Sequence, residues 1–355
     1  MQNGNWVDES LVVKERPMIR IGLAGIGFMG MIHFLAIERL SSAKVTAIAA
    51  RDPKKRSGDW TMIQGNFGPR GRQMDLTGID TYASAEELIE RSDVDMVDIC
   101  LPSDDHTSPV IRALEAGKHV LVEKPIALSL ADADRMVAAA KASGRLLMVA
   151  HVLPFFTDFR FAHDAIRSGR FGRLQAAHFR RHISPPNWSD AVTDFEKVGG
   201  PLIDLHIHDT HFLVVACGMP CGLSSIGTRR GEMVTYVSTQ YDFGPEGPAV
   251  SATSGCLSAS SRPFTHGYEL YFEKGTLLYE AGQPLRVFTS VGIETPTLEG
   301  GDEIDSFAAE IGAAVDSVVT GQPSPLLDGM LARNALALCL KEGESVSSGQ
   351  PVVIS

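Results

Sequence analysis

The stretch Ile19-Arg20-Ile21-Gly22-Leu23-Ala24-Gly25-Ile26-Gly27-Phe28-Met29-Gly30 decides the fold. A short run of strand-forming residues delivers the chain into three glycines spaced Gly-x-Gly-x-x-Gly, and a helical pattern over Phe28–Leu40 follows directly. Each glycine then has its own task. Gly25 permits a tight turn, Gly27 lets a pyrophosphate approach the backbone, and Gly30 lets the helix lie close on the sheet. The helix start, with the amides of Phe28 and Met29, adds unpaired N–H donors and a partial positive charge suited to an anion. The same spacing occurs in ordinary turns, so the reading rests on the strand before it and on what comes after.

What comes after is alternation. The runs Ile19–Ala24, Val45–Ala50, Val94–Leu101 and His119–Glu123 read as strands, and Phe28–Leu40, Ala85–Arg91, His106–Ala116 and Leu130–Ala142 as helices between and after them. Successive βαβ units predict a parallel sheet with helices on both faces, an α/β Rossmann domain. The stretch Arg56–Asp80 is longer and richer in glycine than an ordinary connection and predicts an irregular excursion at one edge. Beyond Gly144, strand-like runs such as Gln175–His182, Val234–Phe243, Val250–Ser258 and Tyr268–Glu273 predict an α+β domain with a large, mostly antiparallel sheet. Helical patterns over Asp302–Val319 and Leu326–Ser345 close the chain. The expected organisation is an N-terminal extension over 1–17, a nucleotide-binding Rossmann domain over 18–144, and a substrate-binding and oligomerisation domain over 145–355.

Bulk properties agree. A chain of 355 residues has room for two cores, and 44% hydrophobic with 21% charged residues is a globular profile, which excludes a disordered chain. The net charge of −11 offers no general attraction to phosphate backbones or anionic membranes, so neither nucleic acid nor membrane is an expected partner. The five cysteines form no metal-ligand spacing. The first seventeen residues lack the apolar core of a secretory signal, and no stretch is apolar enough to span a bilayer; a cytoplasmic location is the expectation.

The end of the second strand chooses between nicotinamide cofactors, because an acidic side chain there holds the ribose 2′-hydroxyl and repels a 2′-phosphate. Here the strand ends Ala49-Ala50-Arg51-Asp52. Ala50 offers no carboxylate, and Arg51 presents a planar cation suited to a phosphate, which favours NADP over NAD. If Asp52 takes the ribose instead, NAD is restored.

At the far end of the fifth strand stands Glu123-Lys124-Pro125. Ligands of open α/β sheets bind along that carboxyl edge, and a lysine there can hydrogen-bond a substrate oxygen as hydride moves. A strand-end lysine taken alone is more often simply solvated.

The glycine loop, Pro102 with His106 after the fourth strand, and Glu123-Lys124-Pro125 together resemble the glucose-fructose oxidoreductase and inositol dehydrogenase family, Gfo/Idh/MocA. The likeness runs from Met18 almost to the end of the chain. It implies cofactor contacts for Pro102, His106 and Glu123, a place beside both nicotinamide and substrate for Lys124, and self-association as a homodimer or homotetramer.

Gly199-Gly200-Pro201-Leu202-Ile203-Asp204-Leu205-His206-Ile207-His208-Asp209 resembles that family's second signature, glycines followed by Asp and then His four residues on. The residues themselves predict one helix: Pro201 suits the first position, apolar residues continue to Ala216, and Gly218 can end it. On such a helix Asp204, His208 and His211 lie within about 60° of one another, a polar stripe needing partners, while His206 points away. His208 is the natural general base and Asp204 can orient a hydroxyl or support the imidazole. Both can also be satisfied structural groups. His206-x-His208-x-x-His211 invites a zinc reading, but His206 and His208 cannot easily share an ion from one helix, so no metal is expected. His206 and His211 depart from the resembled pattern, as does His151-Val152-Leu153-Pro154-Phe155, which points to an unusual substrate pocket. Trp188 can stack on a sugar face or serve as an anchor.

The leading expectation is hydride transfer at a secondary alcohol of a sugar, inositol or related polyol, with Lys124, Asp204 and His208 at the reacting oxygen. The resemblance also allows a glycosidase that oxidises its sugar transiently on a retained cofactor. A non-catalytic NAD(P)H-binding regulator is the third reading, and one that needs the glycine loop but no base.

Overall fold

The computed structural model describes residues 17–91, 93–184, 198–256, 259 and 261–354. Trp188 and residues 1–16 of the expected extension lie outside the described residues. Six strands, β1 (Ile19–Ala24), β2 (Ala43–Ala49), β3 (Asp80–Tyr82), β4 (Met96–Ile99), β5 (His119–Glu123) and β6 (Leu147–Ala150), form one sheet in the order β3-β2-β1-β4-β5-β6. Every pair in it is parallel. The order reverses direction at β1 and β4, which opens a crevice above their carboxyl ends. β6 pairs with β5 and carries this sheet past Gly144 to Ala150, further than the expected boundary. The glycine at 144 does end the preceding helix, Leu130–Ser143, at a left-handed φ of 65°.

Alternating burial explains how both faces are covered. Ile21, Met96, Leu121 and Met148 pack against Ile32 and Ile37 of the Phe28–Ile37 helix, and Phe307 and Ile311 of the late helix Glu303–Thr320 complete that layer. The opposite face, with Val97, Ile99, Val120 and Val122, meets Val110, Leu114 and Met136 and also Ala332, Leu336 and Cys339 of the last helix, Gly329–Ser348. Both closing helices therefore seal the nucleotide half. The Arg56–Asp80 excursion has one short bridge, Asp59 with Gln73, and is anchored by the wholly buried Trp60, edge-on to Phe34 at 5.0 Å.

The second sheet has nine strands: β7 (Leu174–Ile183), β8 (Gly222–Arg230), β9 (Met233–Asp242), β10 (Ala249–Cys256), β11 (Thr265–Phe272), β12 (Gly275–Glu280), β13 (Arg286–Thr289), β14 (Gly292–Glu294) and β15 (Val352–Val353). Their order is β14-β13-β12-β11-β7-β10-β9-β8-β15. The sheet is antiparallel except where β10 lies parallel to β7. Alternate side chains of its inner face, among them Phe179, Ala252, Tyr268, Leu270 and Leu277, bury Phe159 and Phe212 of the two helices that cover it, Thr157–Ser168 and Ile207–Cys217. Among the described residues no helix is long and apolar enough to cross a membrane.

The single helix expected over Pro201–Ala216 is two. Gly200–Asp204 ends, Leu205 and His206 form a turn, and Ile207–Cys217 begins. His206 donates its N–H to the Pro201 carbonyl at 3.0 Å, five residues back, so the turn is wider than an α-helical one and the 100° count does not carry across it.

Candidate active site

The crevice is a cleft of about 840 Å³. Its floor is the glycine loop, Gly25 to Met29, with Cys100, Leu101 and Pro102 opposite; Ala50, Arg51, Asp52 and Lys55 line one end, and Glu123, Lys124, Val198 and Asp204 the other. Gly25 sits at φ 100°, where any side chain would strain the backbone and its Cβ would lie 2.5 Å from the Cys100 carbonyl. A Cβ on Gly30 would come 2.0 Å from the Gly25 carbonyl, so loop and helix close on each other only without one. Among the described residues nothing stands within 4 Å of a Cβ placed on Gly27, and no side chain caps the helix that starts there. An open approach to uncapped amides of a ten-residue helix fits a dinucleotide pyrophosphate.

At the end expected to choose the cofactor, Ala50 is buried and offers nothing acidic. The Asp52 Oδ1 accepts the Lys54 amide at 2.9 Å as cap of the Pro53–Arg56 turn, and the exposed carboxylate lines the cleft with acceptor capacity left for a ribose. Arg51 is exposed on the cleft, and Lys55 donates to the Ile26 carbonyl at 2.7 Å, bringing a second cation to the glycine loop.

Lys124 leaves β5 with its side chain 18% exposed, and its ammonium donates to Asp204 twice, to Oδ1 at 2.7 Å and to the backbone oxygen at 2.8 Å. An ammonium has three N–H groups; among the described residues two are held, and one remains for a ligand in the cleft. The end of the short Gly200–Asp204 helix supplies this contact, across 80 residues of sequence.

His208 is half-buried, its Nδ1 sealed and without a hydrogen-bond partner among the described residues. Burial, then the charges of Lys124 and Arg181, push its pKa well below the usual imidazole value, so it is neutral at pH 7. It stands close enough to feel the Lys124 charge, but it does not line the cleft as Asp204 does. His211 stacks on His151 with ring centres 3.9 Å apart, both wholly buried, and burial pushes His211 down to about 3. The stripe of Asp204, His208 and His211 is thus divided: Asp204 faces the cleft and His211 the interior.

His106, expected at the cofactor, is instead wholly buried. Its two ring nitrogens lie 2.9 Å from the Pro125 carbonyl and 3.0 Å from that of Leu101, so it ties the turn after β5 to the turn after β4. Phe28 lines the cleft while its ring packs edge-on against Phe67 at 4.8 Å, and Met29 lines the cleft beside it.

Residues 19–151 match the family described as "Oxidoreductase family, NAD-binding Rossmann fold", and residues 159–278 match "GFO/IDH/MocA C-terminal domain". The chain belongs to the GFO/IDH/MocA family. A 1,5-anhydro-D-fructose reductase of Ensifer adhaerens is 29% identical over 298 residues, 77% of this chain and 84% of that protein. An inositol 2-dehydrogenase of Rhizobium meliloti is 27% identical over 360 residues, 95% of this chain and 99% of that one. Other curated relatives align over roughly half of their own length. Among solved structures, a levoglucosan dehydrogenase in complex with NADH and L-sorbose superposes with a TM-score of 0.82 at 19% identity, covering 96% of this chain and 99% of its own. This GFO/IDH/MocA member is accordingly an NAD(P)-dependent dehydrogenase.

Sequence reasoning missed what stabilises the family signature here. The ring of His206 lies 3.0 Å from the Glu342 carboxylate and 2.7 Å from the Ser254 hydroxyl, all buried, and Tyr241 donates to the same carboxylate. Burial alone would lower the His206 pKa, but Glu342 raises it. Asp209 is taken by Arg181 through two bonds of 3.0 Å. Glu342 lies 136 residues beyond His206 on the last helix, and no local pattern links them.

Proposed function

We propose that this chain transfers hydride between NADP, favoured over NAD, and a secondary alcohol of a sugar, inositol or related polyol. The observation that carries the reading is the Lys124 ammonium, fixed by two bonds to Asp204 at the far end of a dinucleotide-sized cleft and left with one free donor. The names of the relatives, a reductase of an anhydro sugar and a dehydrogenase of inositol, support the substrate class.

When bound, the nicotinamide supplies the acceptor or donor of hydride. The chain's own groups handle the oxygen. The free N–H of Lys124 donates to the substrate hydroxyl oxygen and stabilises the negative charge that grows there as the C–H bond breaks. Asp204 fixes that ammonium, so little reorganisation is needed as charge develops. His208, neutral and near enough to feel the Lys124 charge, is assigned the hydroxyl proton, taken in oxidation and returned in reduction. Arg51, with Lys55 behind it, favours a 2′-phosphate at the adenosine end. The large sheet supplies the face for self-association, as a homodimer or homotetramer.

The test is a cofactor-reduction screen over sugars, inositols and glycosides, with NAD and NADP in parallel. Net NADPH accumulation with a polyol is the expected result. Release of an aglycone without net reduction assigns the site to redox-type glycoside cleavage, and intact NADPH binding with no turnover of any panel member removes the dehydrogenase reading.

A further inference from the structure

Below the cleft floor lies a buried chain of charged groups that the mechanism does not use. His33, on the helix that begins at the glycine loop, is wholly buried between two strands. Its Nδ1 is 2.8 Å from the Asp98 carboxylate on β4, and its Nε2 is 3.2 Å from Oε1 of Glu123, the last residue of β5. The other oxygen of Glu123 accepts the backbone N–H of Lys124 at 2.9 Å. One carboxylate therefore lies at ion-pair distance from an imidazole nitrogen with one oxygen, without hydrogen-bond alignment, and accepts the lysine's own backbone N–H with the other.

Burying two carboxylates and an imidazole is costly unless each is paired, and here each is. An imidazole between two carboxylates is drawn to both when protonated: Nδ1 hydrogen-bonds Asp98, and Nε2 faces Glu123 as an ion pair. Burial opposes that charge, but Asp98 overrides it and raises the His33 pKa well above its usual value. Cys100, with Sγ 3.4 Å from His33 Nδ1, and Glu310 of the Glu303–Thr320 helix face the same group. Burial, with the charges of Glu123 and Asp98 adding to it and that of His33 opposing, raises the Glu310 pKa well above the carboxylate range.

Resting on the catalytic reading of Lys124 above, we propose that Asp98 and His33 are positioning residues: the Asp98–His33–Glu123 chain fixes the Lys124 backbone so that its free N–H meets the substrate oxygen. It runs from the helix that receives the pyrophosphate to the lysine that receives the substrate, and holds the two halves of the reaction in one register.

The test uses the full chain with cofactor bound. Asp98→Asn keeps the shape of the side chain but removes the charge that holds His33 protonated. It should lower kcat about 10- to 100-fold, the size of loss seen when a partner that orients a metal ligand is removed, while the NADPH Kd and the substrate KM change less than about threefold. Acylation of Lys124 by an amine reagent, followed by mass spectrometry of its peptide, should change in rate while other lysines keep theirs. This labelling needs no turnover, so it tests the chain even if the substrate screen fails. Should Asp98→Asn not fold, the double variant His33→Leu with Asp98→Val removes the same chain and replaces both buried groups by apolar ones, an exchange that interiors often tolerate. A folded variant of either kind with kcat and Lys124 labelling both within twofold of the parent overturns the proposal.

Discussion

Lys124→Met is the sharpest perturbation of the site, because methionine keeps much of the side chain's apolar length and removes only the ammonium. Two of the three lysine donors already serve Asp204, so a single charge-assisted N–H is available to the reacting oxygen. Deleting one such donor from a preorganised site costs about 2.7–4 kcal/mol of transition-state stabilisation, or about 10²–10³ in kcat. The side chain is 18% exposed, so water can take over part of the role and the lower end of that range is the expected result. The assay is the rate of nicotinamide reduction with polyol and cofactor both saturating, alongside the NADPH Kd from fluorescence. The glycine loop does not involve this side chain, so the Kd should move by less than about threefold. A variant that binds NADPH normally and keeps kcat within tenfold of the parent refutes the assignment of the free donor to the substrate oxygen.

Gly30→Ala should weaken NADPH binding at least about tenfold and lower stability by about 1–3 kcal/mol, since the added carbon meets a backbone oxygen that has nowhere to go; equal affinity in titration removes the close-packing argument. For Arg51→Ala, the NADP Kd should rise about 10- to 100-fold, the loss of one charge-assisted contact, with the NAD Kd nearly constant. Parallel losses for both cofactors would show that Arg51 does not read the 2′-phosphate. His211→Phe should relieve an acid liability. The buried ring holds a pKa of about 3 against about 6.5 in the unfolded chain, so as pH falls below 6.5 the unfolded state gains a proton that the folded state refuses. At pH 5 that penalty is about 2 kcal/mol in the parent and absent in the variant. Urea unfolding at pH 8 and pH 5 reads it directly, and a stability difference that does not change between the two refutes the buried neutral imidazole.

The nucleotide half was legible because its signals are local. Gly25, Gly27 and Gly30 act within six residues, and β1, β2 and β5 are short apolar runs that cannot hide in an α/β sheet. β3 and β6 were counted but given no bounds: Asp80–Tyr82 is three residues at an exposed edge, and Leu147–Ala150 is four residues just past a helix-ending glycine. In the second half, β8 was missed because most of its residues are exposed and polar, with no alternation to read. Lys124 and Asp204 were found as separate motifs, but their bond was not, since a pair 80 residues apart leaves no periodic trace. The break at Leu205–His206 was invisible for a related reason. Nothing between Pro201 and Ala216 disfavours a helix, and the widened turn accompanies the burial of His206 against Glu342, a tertiary contact that overrides local propensity. The carbonyl partners of His106, on the turns after β4 and β5, left no trace in the sequence because both contacts are tertiary.

The Glu303–Thr320 helix completes the layer over Ile32 and Ile37, with Arg39 clamped to Asp302 and Asp305 at its start. A fragment stopping at residue 150 would leave that apolar layer bare to water, and it should aggregate rather than serve as a free-standing cofactor carrier. Recombination with relatives obeys the same constraint. The transplantable unit is the stretch between the end of β6 and Asp302, an insert into the nucleotide half, and swapping everything after residue 150 would graft a foreign lid onto a surface shaped for this one.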